Sequence, residues 1–119
     1  MTLTATQIRC LIAILTLTRM NEEVASKNIA KLLGVTRPSV HKTLDILVAK
    51  GLLEKEHCGA ARLSAQGEVL AVQLEERRDR LFLLFSQRYG LSLDESSIAA
   101  TVLMSELKEE SLKKLEKGI

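Results

Sequence analysis

The chain has no tryptophan, and its aromatic content is three residues, Phe82, Phe85 and Tyr89. Leucine, isoleucine and valine must therefore fill any core, and 46% hydrophobic residues supply enough of them. No run of about 18 apolar residues is present, which excludes a membrane-spanning helix. Residues 8–17 come nearest, but Arg9 interrupts them and no cleavage pattern follows, so no signal peptide is expected. Cys10 and Cys58 are the only cysteines and stand at no ligand-type spacing. That excludes a disulfide framework and fits reduced thiols in a cytoplasmic protein. A glycine-rich phosphate loop and a defined carboxylate pair are both missing. His57 and Cys58 are adjacent, so on a strand their side chains would point to opposite faces and form no catalytic pair. The sequence does not read as an enzyme.

What is present is concentrated between Asn28 and Gly51. Ile29, Leu32 and Leu33 give a short helix one apolar face, with Lys27 and Lys31 outside it. Gly34 permits a turn. Thr36 is a cap for the next helix, and Pro38 sits in its first turn, where a missing N–H loses nothing. Val40, Leu44, Leu47 and Val48 then form an apolar stripe, and Gly51 ends the helix. Pro38, Lys42, Asp45 and Ala49 lie opposite the stripe, flanked by Ser39 and His41. Two helices joined by a glycine turn, with polar residues opening the second, predict a helix-turn-helix whose second helix enters the DNA major groove.

A first helix is expected over 4–19, capped by Thr4, with Ile8, Leu11, Ile12 and Leu15 at helical spacing. Residues 51–64 read as a short hairpin, a wing, with Lys55, His57 and Arg62 available to phosphates. Ser64 caps a long helix from Ala65 to Tyr89. Its apolar stripe is Val69, Leu70, Leu74, Leu81, Leu84 and Phe85, broken by the charged block Glu75 to Arg80. Phe82 and Leu83 widen that surface beyond what one small domain needs, which points to a partner helix. Further helices are expected over 94–104 and 107–117.

Charge follows the same division. Residues 27–62 carry seven Lys or Arg against three acids, whereas 94–119 carry four Lys against six acids. The positive surplus sits on the segment that would meet phosphates.

The segments I-A-K-L-L-G-V-T-R-P-S-V-H-K-T-L, L-V-A-K-G-L-L and R-L-S-A-Q-G-E-V-L-A resemble the diphtheria-toxin-repressor family of iron- and manganese-dependent transcriptional regulators. The likeness extends over about residues 5–117 and is strongest over 28–71. It implies a mainly α fold: a winged helix-turn-helix DNA-binding domain at 1–64 and a helical dimerisation region at 65–119. The short manganese-repressor form without an SH3-like domain is the one matched. The implied function is that of a homodimeric, sequence-specific repressor binding a palindromic operator in double-stranded DNA. The residues expected at DNA are Lys27, Thr36, Arg37, Pro38, Ser39, His41, Lys42, Lys55 and Arg62. Those expected at the dimer interface are Ile8, Leu11, Ile12, Leu15, Leu81, Phe82, Leu84 and Phe85.

The family's metal ligands are not kept. Its positions fall on Thr6, Arg9, Asp79, Met104 and Ser105, and a transition metal wants imidazole, thiolate or carboxylate donors. No cofactor is expected. Mn, Fe or Zn could bind only through a rearranged site using Cys10, Asp79, Met104 or Glu106. The alternative reading, a winged-helix module that binds protein and not DNA, would draw on Asp45 and Ile46.

Overall fold

A computed structural model describes residues 2–56 and 60–118. The chain is mainly α-helical with a two-stranded hairpin, a winged helix-turn-helix. Its contacts divide it into two compact units: residues 9–72, and residues 1–8 with 73–119.

Helix α1 (Ala5–Arg19) begins with a reciprocal cap. Thr4 Oγ1 accepts from the Gln7 N–H at 3.1 Å, and Gln7 Oε1 accepts from the Thr4 N–H at 3.1 Å. Two otherwise orphan donors are satisfied together. Cys10 to Leu15 are buried without interruption, as in a helix that is apolar all round.

In the unit 9–72, α2 (Ser26–Leu33) and α3 (Arg37–Ala49) are joined through Gly34, whose φ of 69° is left-handed. The N–H groups of Gly34 and Val35 both bond the Ala30 carbonyl, closing α2. Thr36 caps α3 as expected, its hydroxyl accepting from the Ser39 N–H at 3.3 Å, with Pro38 in the first turn. Val40, Thr43, Leu44 and Leu47 are buried and Val48 is half-buried. Leu32, expected on the inner face of α2, is exposed. The inward positions are Ser26, Ile29 and Ala30, with Leu33 half-buried.

Strands β1 (Leu53–Lys55) and β2 (Ala61–Leu63) pair antiparallel with Leu53 opposite Leu63 and Glu54 opposite Arg62. His57, expected on the wing, and the neighbouring Cys58 and Gly59 lie outside the described residues. Ala61 N–H also bonds the Val24 carbonyl at 3.1 Å, which anchors the hairpin to the α1–α2 connection.

Ser64 does two things at the start of α4 (Ala65–Leu83). Its hydroxyl accepts from the Gly67 N–H at 3.0 Å and donates to the Gly51 carbonyl at 2.7 Å. Gly67 lies so close to the root of the wing that a Cβ there would stand 1.9 Å from the Leu52 carbonyl oxygen. This approach turns Gly67 and Ala71 inward. Val69, expected in the apolar stripe, is consequently 61% exposed.

In the unit 1–8 with 73–119, α4 does not run on regularly to Tyr89. It passes at Leu84–Arg88 into a π-helical segment, which Gly90 (φ 69°) terminates. Helix α5 (Leu93–Glu106) is capped by Ser92, whose hydroxyl accepts from the Glu95 N–H at 3.1 Å. Helix α6 (Glu109–Glu116) follows. Leu81, Leu84, Ala100 and Leu112 form the core, with Phe85, Leu103, Met104 and Leu115 packed against it. Arg77 fastens α6: its guanidinium grips Glu109 at 2.6 and 2.8 Å and Glu116 at 2.9 Å, and Arg80 adds a 3.0 Å contact to Glu116. No helix among the described residues is long and apolar enough to cross a membrane.

Candidate nucleic-acid interface

Burying Val40, Leu44 and Leu47 forces the opposite side of α3 outward. Thr36, Arg37, Pro38, Ser39, His41, Lys42, Asp45 and Ala49 are accordingly all exposed. Lys27, in the first turn of α2, is exposed as well. Arg37 and Lys42 occupy the first two turns of α3, and with Lys27 they make no ion pair or side-chain hydrogen bond among the described residues. Their charge is therefore free to meet an outside partner.

His41 is differently placed. Its Nδ1 lies 3.2 Å from the buried Ser26 hydroxyl, so one edge of the ring ties α3 to the start of α2.

The two wing cations are engaged internally. Lys55 pairs with Asp45 of α3. Arg62 binds Glu54 across the hairpin at 3.0 Å through Nε and 2.8 Å through Nη2, with Glu56 at 3.9 Å. The hydrogen bond it donates to Glu54, and then the charge of that carboxylate, holds the Arg62 guanidinium more firmly protonated. Nothing in the sequence signalled the Asp45–Lys55 pair, whose partners lie on different elements. The Glu54–Arg62 pair follows from the hairpin register once that is known.

The residues considered for a metal are dispersed in chemical character. Cys10 is buried, and desolvation pushes its thiol up to about 11, away from the thiolate a metal requires. Asp79 is exposed and bound by its neighbour Arg78 at 2.9 Å. Met104 packs on the core of its unit, and Glu106 is exposed. Arg9, where the resemblance to the diphtheria-toxin-repressor family would put a ligand, makes a backbone contact. Its Nη2 donates to the Leu33 carbonyl at 3.0 Å, capping the end of α2. Among the described residues no three His, Cys, Asp or Glu side chains gather into a metal-binding group. As placed, Cys10, Asp79, Met104 and Glu106 do not make a transition-metal donor set among the described residues.

The apolar surplus expected to need a partner is also distributed differently. Ile8, Leu11, Ile12, Leu15, Leu81 and Leu84 are each 4% exposed or less, so packing within the chain already covers them. Phe82 and Phe85 are half-buried. The large apolar side chains left open on the second unit include Leu83, Ile98 and Val102, the last two one turn apart on α5.

A family model described as MarR family matches residues 2–64. No curated protein sequence matches. Among solved structures, the manganese regulator SloR aligns with a TM-score of 0.83 and 23% identity, over 99% of this chain and 54% of its own. The metal-dependent transcriptional regulator MtsR aligns with a TM-score of 0.77 and 18% identity, over 93% of this chain and 52% of its own. IdeR of T. acidophilum gives 0.68 and 21%, over 100% and 56%. The chain thus spans about half the length of these three proteins, and at such identities the likeness is one of fold.

Proposed function

The chain belongs to the MarR family, and on that premise we propose that it is a homodimeric, sequence-specific repressor of transcription that acts on palindromic double-stranded DNA in the cytoplasm. The observation that carries this reading is the entering end of α3. Thr36, Arg37, Pro38, Ser39, His41 and Lys42 are exposed over an apolar stripe that is buried, and Arg37 and Lys42 are uncommitted. Such a helix end is suited to the major groove, where side chains at its start reach base edges. Lys27 adds a phosphate contact beside it.

Two copies related by a two-fold axis would read half-sites about one helical turn apart. Leu83, Ile98 and Val102 are the apolar surface such a dimer would bury. The fold resembles that of metal-dependent regulators, and we read this chain as a relative of theirs whose DNA binding needs no transition metal.

Selection of bound sites from random duplex DNA, with and without Mn²⁺, Fe²⁺ and Zn²⁺, tests the whole proposal. A palindromic consensus recovered equally in all arms is the expected result. Recovery of no sequence in any arm would favour a protein-binding role for the same surface.

A further inference from the structure

Asp45 is the one acidic side chain on the outward face of α3, one turn beyond Lys42 and exposed. It does not stand alone: Lys55 of β1 reaches across from the wing and pairs with it. In the rest of the described wing the one cation is outnumbered, since Glu54 and Glu56 both face Arg62. The described hairpin therefore offers no surplus of positive charge to a phosphate. Lys27, Arg37 and Lys42, toward the helix entry, have no side-chain partner among the described residues, and neither do Lys31 on α2 and Lys50 at the far end of α3.

Resting on the DNA-binding reading above, we propose that Asp45 is a specificity-determining brake. It neutralises the wing lysine in cis and withholds Lys55 from sequence-independent phosphate attraction. An exposed pair of this kind adds little to stability, so its consequence lies in the field it shapes. A phosphate approaching the wing meets a cation already cancelled within a Debye length, about 8 Å at physiological salt. Each phosphate neutralised by a protein cation contributes about 0.9 to the log–log salt slope and works on every sequence alike. Withholding one such contact lowers non-specific affinity while leaving base contacts untouched. The ratio of specific to non-specific binding rises accordingly.

The test is fluorescence anisotropy of the full chain with a labelled random-sequence duplex, across roughly 50 to 200 mM salt. Asp45→Asn keeps the shape of the side chain and should bind about fivefold tighter, with the salt slope steeper by about one. Lys55→Ala bares the carboxylate and should bind correspondingly more weakly. The double variant should return to within about twofold of wild type, because the gain belongs to the freed lysine. Asp94→Asn, an equal charge change on α5, serves as the control and should shift binding less than twofold. Circular dichroism checks that each variant is folded. If wild-type protein binds the duplex but Asp45→Asn binds no tighter, or if Asp94→Asn gives the same gain, the brake is wrong and the DNA-binding reading stands. If wild type binds no duplex even at the lowest salt, both fall together.

Discussion

The two units of this chain hold themselves together by different means. Residues 9–72 rely on apolar side chains removed from water and on one backbone contact too close for any Cβ: Leu11, Ile14, Ile29, Leu47 and Leu52 are 0 or 1% exposed, and Gly67 meets the Leu52 carbonyl. In residues 73–119 the buried core is Leu81, Leu84, Ala100 and Leu112, and α6 is fastened by Arg77. The first solution leaves Arg37 and Lys42 of α3 without a side-chain partner among the described residues, while Lys55 and Arg62 of the wing are paired. The second commits Arg77 and Arg80 to Glu109 and Glu116 of its own α6. A surface meant to meet an anion cannot spend its cations on internal pairs, and Lys42 and Arg77 show the two fates of a basic residue.

The contrast between the units breaks most visibly at Gly67. Gly67→Ala forces a methyl to within 1.9 Å of a carbonyl oxygen unless α4 or the wing moves. Overpacking of this kind costs about 3 kcal/mol where the neighbour is backbone. Urea unfolding should show the midpoint fall, and a variant as stable as wild type would mean that the root of the wing has room. Arg77→Ala comes next. It leaves Glu116, whose side chain is only 14% exposed, with Arg80 alone, and it should destabilise the second unit by ~2 kcal/mol. Unchanged amide protection in α6 would show that its leucines suffice without the ion pairs.

Acid should separate the units by the same route. The hydrogen bonds from Arg77 hold both Glu109 and Glu116 below the usual carboxylate value of 4.5. A carboxylate depressed in the fold stabilises it above the unfolded value and ceases to as pH falls through the folded one. Below about pH 4.5 the unfolded chain takes up these protons first, so α6 should lose hydrogen-exchange protection as pH is lowered while α3 keeps its own. Equal loss in both helices would remove the distinction. On the other side, Thr36→Ala removes the side-chain acceptor for the Ser39 N–H and should lower stability by ~1 kcal/mol. A difference below about 0.3 kcal/mol in a urea titration would show that water replaces that cap.

Which of these features are legible in the sequence depends on how far apart in the chain their parts lie. Thr36 with Pro38, Thr4, the buried Val40, Leu44 and Leu47, and the cap at Ser64 are local patterns, and each stands in the sequence. Ser92 is legible too, since Ser92-Leu93-Asp94-Glu95 is a capping box, but the acids at 94 and 95 are the louder signal there. Arg77 with Glu109 and Glu116 is 32 and 39 residues from its partners, and Arg9 is 24 from the Leu33 carbonyl. No periodicity encodes such pairs. Leu32 and Val69 lie outside the faces expected of them for a related reason. Periodicity finds an apolar stripe but not its rotation, and in α4 the rotation is set by Gly67 meeting Leu52. The exposed candidates of α3 are legible as a surface. Which of its neighbouring cations are already spent, Lys55 and Arg62, is not.

The smallest expected effect is that of removing metal. Arg9 is held by its bond to the Leu33 carbonyl, and a guanidinium cannot be deprotonated to make way for a cation. It would repel a divalent ion by ~4 kcal/mol per unit charge at about 4 Å under surface-like screening, and two charges double that. Cys10 could donate only as thiolate, which burial disfavours by raising its pKa to about 11. Asp79 is occupied by Arg78 and Met104 by its packing. Chelator-treated protein should therefore bind a selected operator as tightly as metal-loaded protein, within a factor of about three (~0.6 kcal/mol). A gain of about tenfold or more on adding Mn²⁺, Fe²⁺ or Zn²⁺, reversed by chelator and abolished by Asp79→Ala or Cys10→Ala, would mean that a metal draws these residues into a new arrangement. The free cations of α3 would then be under a control that the side chains' present commitments do not provide.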